Sequence, residues 1–281
     1  MTARLLRDPR VAAGVAIIGA LALLAFLAPW LAPFDPLDQA ELLRSRLLPP
    51  LAAGPEGAPR WLGTDQLGRD VLSRLLHGAR VSLAVGALAA LLSAAIGTAL
   101  GALAAAGGRR LDRVVMAATD AALALPRLVL LLALVALFQP SAVLIVLVLG
   151  ATGWMPVARL ARAEMQGVMA RPYAAAARAA GVGPLRLLLR HVLPNALTPV
   201  LVATALAVGN AITLEAGLAF LGLGIPAPAP SWGNMIATGR DALVQAPWLA
   251  TLPGLAVAVA VVGCNLLADG LRDQLDPRTA R

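Results

Sequence analysis

RPYAAAARAAGVGPLRLLLRHVLPN, residues 171–195, interrupts a chain that is otherwise mostly apolar. The alanine run from 172 to 180 favours helix strongly. Gly181 can supply the left-handed residue that ends such a helix, and Pro184 suits the first turn of a second one. Leu185, Leu187, Leu188 and Leu189 follow, with Arg186 and Arg190 among them, and Pro194 punctuates the entry to the next apolar run. The stretch therefore reads as helix, sharp turn, helix, tied to apolar segments at both ends. At 1.5 Å per residue the first helix is about 12 Å long, a short knob able to seat in a groove of a soluble partner. A re-entrant or interfacial loop with no partner, and arginines that serve topology alone, are the competing readings.

The surroundings set the fold class. Of 281 residues, 59% are hydrophobic and only 14% charged, against roughly a quarter charged in soluble domains. Continuous apolar runs of about 20 residues recur, each long enough to cross a bilayer core as a helix. They lack the period of two that a porin-type barrel needs. The expected spans are 11–32, 81–106, about 114–138, 141–157, about 196–222 and about 249–268. The chain is thus expected to be an all-α membrane protein with six transmembrane helices. A signal peptide has an apolar core of about 7–15 residues; the first run is longer and ends at Trp30, so it reads as a retained span. In the region 1–80 that span is followed by a proline-rich outer loop, and DVLSRLLHGAR (70–80) reads as a short amphipathic helix lying on the membrane surface. The remaining region, 81–281, holds five spans and the polar loop 158–195.

Six spans place both ends on one side. With the termini inside, the inner segments hold fifteen of the 23 arginines and the outer loops seven. Positive charge concentrates on the cytoplasmic side, so both termini and loop 158–195 are expected in the cytoplasm. The net charge is +8 and every basic residue is arginine. A P-loop needs a lysine on the nucleotide phosphates, so ATP, if it drives this protein, binds to another subunit.

The loop spacing resembles the cytoplasmic EAA loop of binding-protein-dependent ABC importer permeases: E-A-A, three residues, Gly, nine residues, an apolar position, and Leu-Pro one residue on. Here Ala176 and Ala177 match the alanines, Gly181 the glycine, and Leu193-Pro194 the end. Ala175 stands at the family's glutamate and His191 at its apolar position, so any ion pair made by that glutamate has no carrier here. LGTDQLGRDVLSRLLHGARVSL (62–83), LEAGLAFLGLGIPAPAPSWGNM (214–235) and LADGLRDQLDPR (267–278) resemble landmarks of the dipeptide, oligopeptide and nickel branch, C-type subunit. The resemblance implies a type I importer permease fold in a bacterial inner membrane. It implies a heterodimer with a second permease, two ATPase subunits carrying ATP and Mg, and an extracytoplasmic binding protein. Peptides are the expected cargo, with nickel or another small solute as the alternative. Membrane lipid is the remaining partner; no nucleic acid is expected. Residues 175–178, Gly181, Pro184, Leu193 and Pro194 would couple ATPase closure to a tilt of the spans, and the chain itself would do no covalent chemistry.

Other charged and polar residues have separate expectations. Arg127 lies seven residues after Asp120, on one face of a continuous helix, and is a candidate for the translocation path, for an acidic substrate group or for a pair with the partner permease. Glu215 is a candidate gate or structural contact near the outer end of the fifth span. Gly63, Gly68 and Thr64-Asp65 read as a turn in which Thr64 or Asp65 bonds backbone N–H groups; acids for a Ca²⁺ loop are missing. Trp232 is expected at the outer interface or against the binding protein. Cys264 reads as a small core hydrophobe, and His77 and His191 lack metal-ligand spacing. An ATP-independent secondary transporter is the rival class, though no repeat relates 11–138 to 141–268 and few acids are buried. A membrane enzyme would need a nucleophile–base set that is not present at any span end.

Overall fold

The computed structural model describes residues 8–39, 42–55 and 57–275. Arg4, Arg7, Arg278 and Arg281, counted above among the inner arginines, lie outside them. The long helices are α1 (Pro9–Leu31), α3 (Val71–Ala106), α6 (Ala142–Met169), α9 (Leu193–Phe220) and α11 (Trp248–Leu275). All five are long and apolar enough to cross a membrane. A further helix pair, α4 (Gly108–Leu123) and α5 (Arg127–Ala136), meets at an 82° bend and makes a sixth crossing when taken together as one broken span. Short elements fill the ends: α2 (Leu42–Ser45), a hairpin of β1 (Ala52–Ala53) and β2 (Pro59–Arg60), α7 (Pro172–Ala179), α8 (Pro184–Leu187) and α10 (Trp232–Arg240). β1 pairs antiparallel with β2, Ala52 opposite Arg60.

α3 is the central post. It packs along α6, and α1 and α9 flank it. Lipid supplies no hydrophobic force between helices, so close approach depends on small side chains. Ser93, Gly97 and Gly101 of α3 recur every four residues and are buried. A Cβ on Gly97 would lie 2.6 Å from Val157 Cβ and 2.7 Å from the Trp154 carbonyl; one on Gly101 would lie 2.7 Å from Ala161 Cβ. The Ser93 hydroxyl donates to the Gly150 carbonyl at 3.0 Å.

Four expectations need correction. Residues 71–80 are not a separate surface helix: they are the first turns of the 36-residue α3. Their polar face is used internally, since Asp65 accepts from Arg69 Nε at 2.8 Å and lies 3.5 Å from Arg74 Nε, all three buried. The third span is not continuous, because Pro126 ends α4's helical hydrogen bonding and begins α5; Asp120 and Arg127 therefore do not share a helix face. The fourth span continues helically through Met169, well beyond 157, because its arginines find acids on α4. Arg162 forms a forked pair with Asp112, with Nη2 at 2.6 Å from Oδ2, and Arg159 Nη2 lies 2.5 Å from Asp120. Trp232 is 1% exposed, and its indole N–H donates to the Leu75 carbonyl at 3.1 Å. It is a core residue of α10, not an interface anchor.

The outer turn forms as its residues dictate. Gly63 and Gly68 have φ of +78° and +72°. Asp65 accepts from the Leu67 and Arg69 N–H groups at 2.9 and 3.0 Å, and Thr64 Oγ1 from the Leu48 N–H at 2.8 Å. Asp70 caps α3 by accepting from the Ser73 N–H at 2.8 Å. Loss of an N-cap acceptor costs about 1 kcal/mol, so Asp70→Ala is expected to lower stability by that amount, read as an earlier midpoint in detergent unfolding, with assembly unchanged. Cys264 is buried, and Trp30, at the end of α1, is 72% exposed, as an interface anchor would be.

Candidate functional site

The interrupted stretch forms a compact projection. α6 stops at Met169, and Pro172 occupies the first turn of α7, where its missing N–H costs nothing. α7 ends in a complete Schellman closure: Val182 N–H donates to the Ala177 carbonyl at 3.1 Å and Gly181 N–H to the Arg178 carbonyl at 3.0 Å. Gly181 has φ of +80°, a region costly for any residue with a Cβ. Val182 and Ala177, the two ends of the motif, both pack onto a core of Val157, Ala161, Met165, Val168, Leu187 and Val192. Ala174 is fully buried, and Arg178 Nη2 donates to the Met169 carbonyl at 3.1 Å. The knob is thus pinned at its underside and on both flanks.

Its outer side is bare. Ala175, Ala176, Arg178, Ala179 and Gly181 are exposed. Beside them stand Tyr173, Leu185 and Leu189 at 41%, 67% and 54% exposure. These side chains form an apolar cluster on the outer side of the projection. The sequence reading did not single out Tyr173, Leu185 or Leu189 as surface contacts, although Tyr173 is the chain's one tyrosine and directly precedes an alanine run. Nor did it separate buried Ala174 from its exposed neighbours, which only the packing does.

α8 passes into α9 through a π-helical turn, Leu188–Val192, closed by Leu193 N–H to the Leu188 carbonyl. The widened turn admits Pro194, whose ring would otherwise meet the preceding turn's carbonyl. Leu193 and Pro194 are therefore the first residues of a span joined without a loop to α8. Two residues, Ala170 and Arg171, separate α6 from the knob, and the Gly181 turn separates it from α8, which runs on into α9 through the π-helical turn.

Arg127 and Glu215 lie apart from the knob and from each other. Glu215 is fully buried. Its carboxylate accepts from Ser231 Oγ at 2.9 Å and from Ser82 Oγ at 3.3 Å, while Ser82 Oγ accepts the Trp232 N–H at 3.0 Å. It clasps α9, α3 and the cap of α10 together. Arg127 begins α5 and donates to the Leu149 carbonyl at 3.3 Å. A cavity of about 210 Å³ opens beside it between α3, α6 and α9, lined by Ala90, Ser93, Gly153, Leu206 and Asn210 among others. Asp120, far from Arg127's contacts, belongs to Arg159. Among the described residues no three His, Cys, Asp or Glu side chains are grouped to hold a metal.

Residues 97–281 match one family model, "Binding-protein-dependent transport system inner membrane component". The chain belongs to that family. A second model, "N-terminal TM domain of oligopeptide transport permease C", matches residues 1–50. The permease is 43% identical over 255 residues to the di/tripeptide transport system permease protein DppC of Pseudomonas aeruginosa, covering 90% of this chain and 83% of that one. It is 40% identical to the dipeptide transport system permease protein DppC of Haemophilus influenzae, over 94% of this chain and 89% of the relative. A putative peptide transport system permease of Brucella abortus is 39% identical over 98% of this chain and 90% of its own. The permease is therefore a multi-pass inner-membrane transport component.

Proposed function

We propose that this permease is one of two non-identical membrane subunits of an ATP-driven importer of di- and oligopeptides. A second permease completes the path, two ATPase subunits hold ATP and Mg, and an extracytoplasmic binding protein delivers the cargo. The observation that carries the reading is the rigid knob: an eight-residue helix, bare on its outer side, closed by a Schellman turn and rooted in the ends of α6 and α9. A flexible loop would absorb a partner's motion; this one transmits it. Peptide as cargo is supported by the relatives, which are di/tripeptide, dipeptide and putative peptide transport permeases.

The knob and both described chain ends lie at one end of the bundle, where Arg10 pairs with Asp273 at 2.9 Å. The positive-inside rule assigns that end to the cytoplasm. ATP binding draws the ATPases together, the knobs follow, and α6 and α9 tilt to open the path outward. The test is uptake into vesicles carrying the whole importer. Labelled dipeptide is expected to accumulate only with the binding protein outside and ATP inside. Equal accumulation in vesicles lacking the ATPases overturns the reading in favour of a secondary transporter.

A further inference from the structure

Arg127 is an arginine at membrane depth without a carboxylate partner among the described residues. Its depth follows from its contacts. A Cβ on Gly153 would lie 3.0 Å from its Nη2, and its one hydrogen bond goes to Leu149. Those positions are seven to eleven residues along α6 from Ala142, which places the guanidinium roughly 10–16 Å in from that helix end, within a hydrocarbon core of about 30 Å. The guanidinium carries five donors, and one carbonyl at 3.3 Å leaves most of them unused. An unpaired charge at this depth is costly and marks a pathway or a partner.

Two cavities meet at this side chain. One, of about 210 Å³, is apolar apart from Ser93, Asn210 and Arg127; the other, of about 250 Å³, is lined by Leu123, Pro126, Leu130, Thr152 and Met155 as well as Arg127. Apolar walls with a single fixed charge suit a ligand of variable side chains and one constant anionic group. Among short peptides that constant group is the C-terminal carboxylate, whose planar pair of oxygens matches a guanidinium fork. We infer that Arg127 is a specificity-determining residue of the path, receiving the free α-carboxylate of the peptide as it crosses mid-membrane. The inference rests on the peptide-importer reading above. The bend at Pro126 is what makes it possible: it turns the guanidinium away from α4 and toward α6, between the two cavities.

The test uses the assembled importer and three chains: the parent, Arg127→Met and Arg127→Lys. Leu206→Cys, in the wall of the first cavity, is introduced into each as a maleimide reporter. A dipeptide with a free C-terminus is expected to slow labelling at Leu206→Cys in the parent, and the same dipeptide as its C-terminal amide is not. Arg127→Met is expected to lose that difference and to lower uptake of the free-acid dipeptide at least tenfold. Arg127→Lys, retaining the charge without the fork, is expected to keep part of both. Equal protection by acid and amide, or no protection by either, overturns the inference, as does loss of the second permease on purification of Arg127→Met, which assigns the charge to a partner acid. Absence of dipeptide uptake in the parent instead refutes the importer reading itself.

Discussion

Gly181→Pro is expected to abolish transport while leaving the chain inserted in the membrane. Proline holds φ near −65°, whereas Gly181 sits at +80°. The substitution also deletes the N–H that donates to the Arg178 carbonyl at 3.0 Å. Without that turn the chain leaves α7 in another direction, and Val182 is drawn off the core beneath Ala177. Nothing lies within 4 Å of a Cβ built on Gly181, so the damage stays in the loop and the spans insert as before. Gly181→Ala is the graded control: it meets no neighbour and carries only the left-handed backbone cost of about 1–2 kcal/mol. Ala177→Asp reaches the same end by another route, pushing a carboxylate toward the apolar core on which Ala177 rests. For both strong variants, ATPase co-purification and peptide uptake are expected to fall to background with membrane yield retained. Normal ATPase recovery with Gly181→Pro and Ala177→Asp would remove the knob from the mechanism.

Gly97→Leu is expected to prevent folding of the bundle altogether. A single carbon at Gly97 would already stand 2.7 Å from a backbone carbonyl and 2.6 Å from Val157 Cβ, and α6 cannot retreat from a backbone contact by changing a rotamer. Overpacking of a mobile side chain costs about 1–3 kcal/mol; three further carbons wedged between two backbones exceed that range. The α3–α6 seam is also where the Ser93–Gly150 bond sits, so spreading it strips a buried hydroxyl of its acceptor. The expected readout is loss of monodisperse protein in detergent. Recovery of wild-type yield and a wild-type unfolding midpoint would show that the seam is looser than the distances state. Gly167→Leu, on α6, serves as the contrast for steric overlap, since no atom lies within 4 Å of a Cβ there.

Hydropathy alone located the membrane crossings, because a bilayer demands runs of about 20 apolar residues whatever the tertiary packing. The knob was equally legible: Pro172, the alanines, Gly181 and Pro184 each act within one turn of the backbone, and α7 ends where Gly181 requires. The outer turn around Thr64 and Asp65 was readable for the same reason. Errors arose where a local pattern met a distant partner. The polar face of 70–80 resembled a surface helix until Asp65, Arg69 and Arg74 were found buried against one another. The arginines after residue 157 resembled a loop until Asp112 and Asp120 supplied their countercharges.

What the sequence determined by itself, then, is membrane residence, the five long spans and the position of a helical interruption, all properties of short segments facing a uniform solvent. The tertiary structure alone decided that Glu215 is a clasp between three helices, that Trp232 is core, and that Arg127 stands between two cavities without an acid partner among the described residues. Those assignments depend on which side chains from remote segments arrive at the same point. In a membrane, where nearly every helix face is apolar, periodicity does not announce which face will meet protein and which will meet lipid.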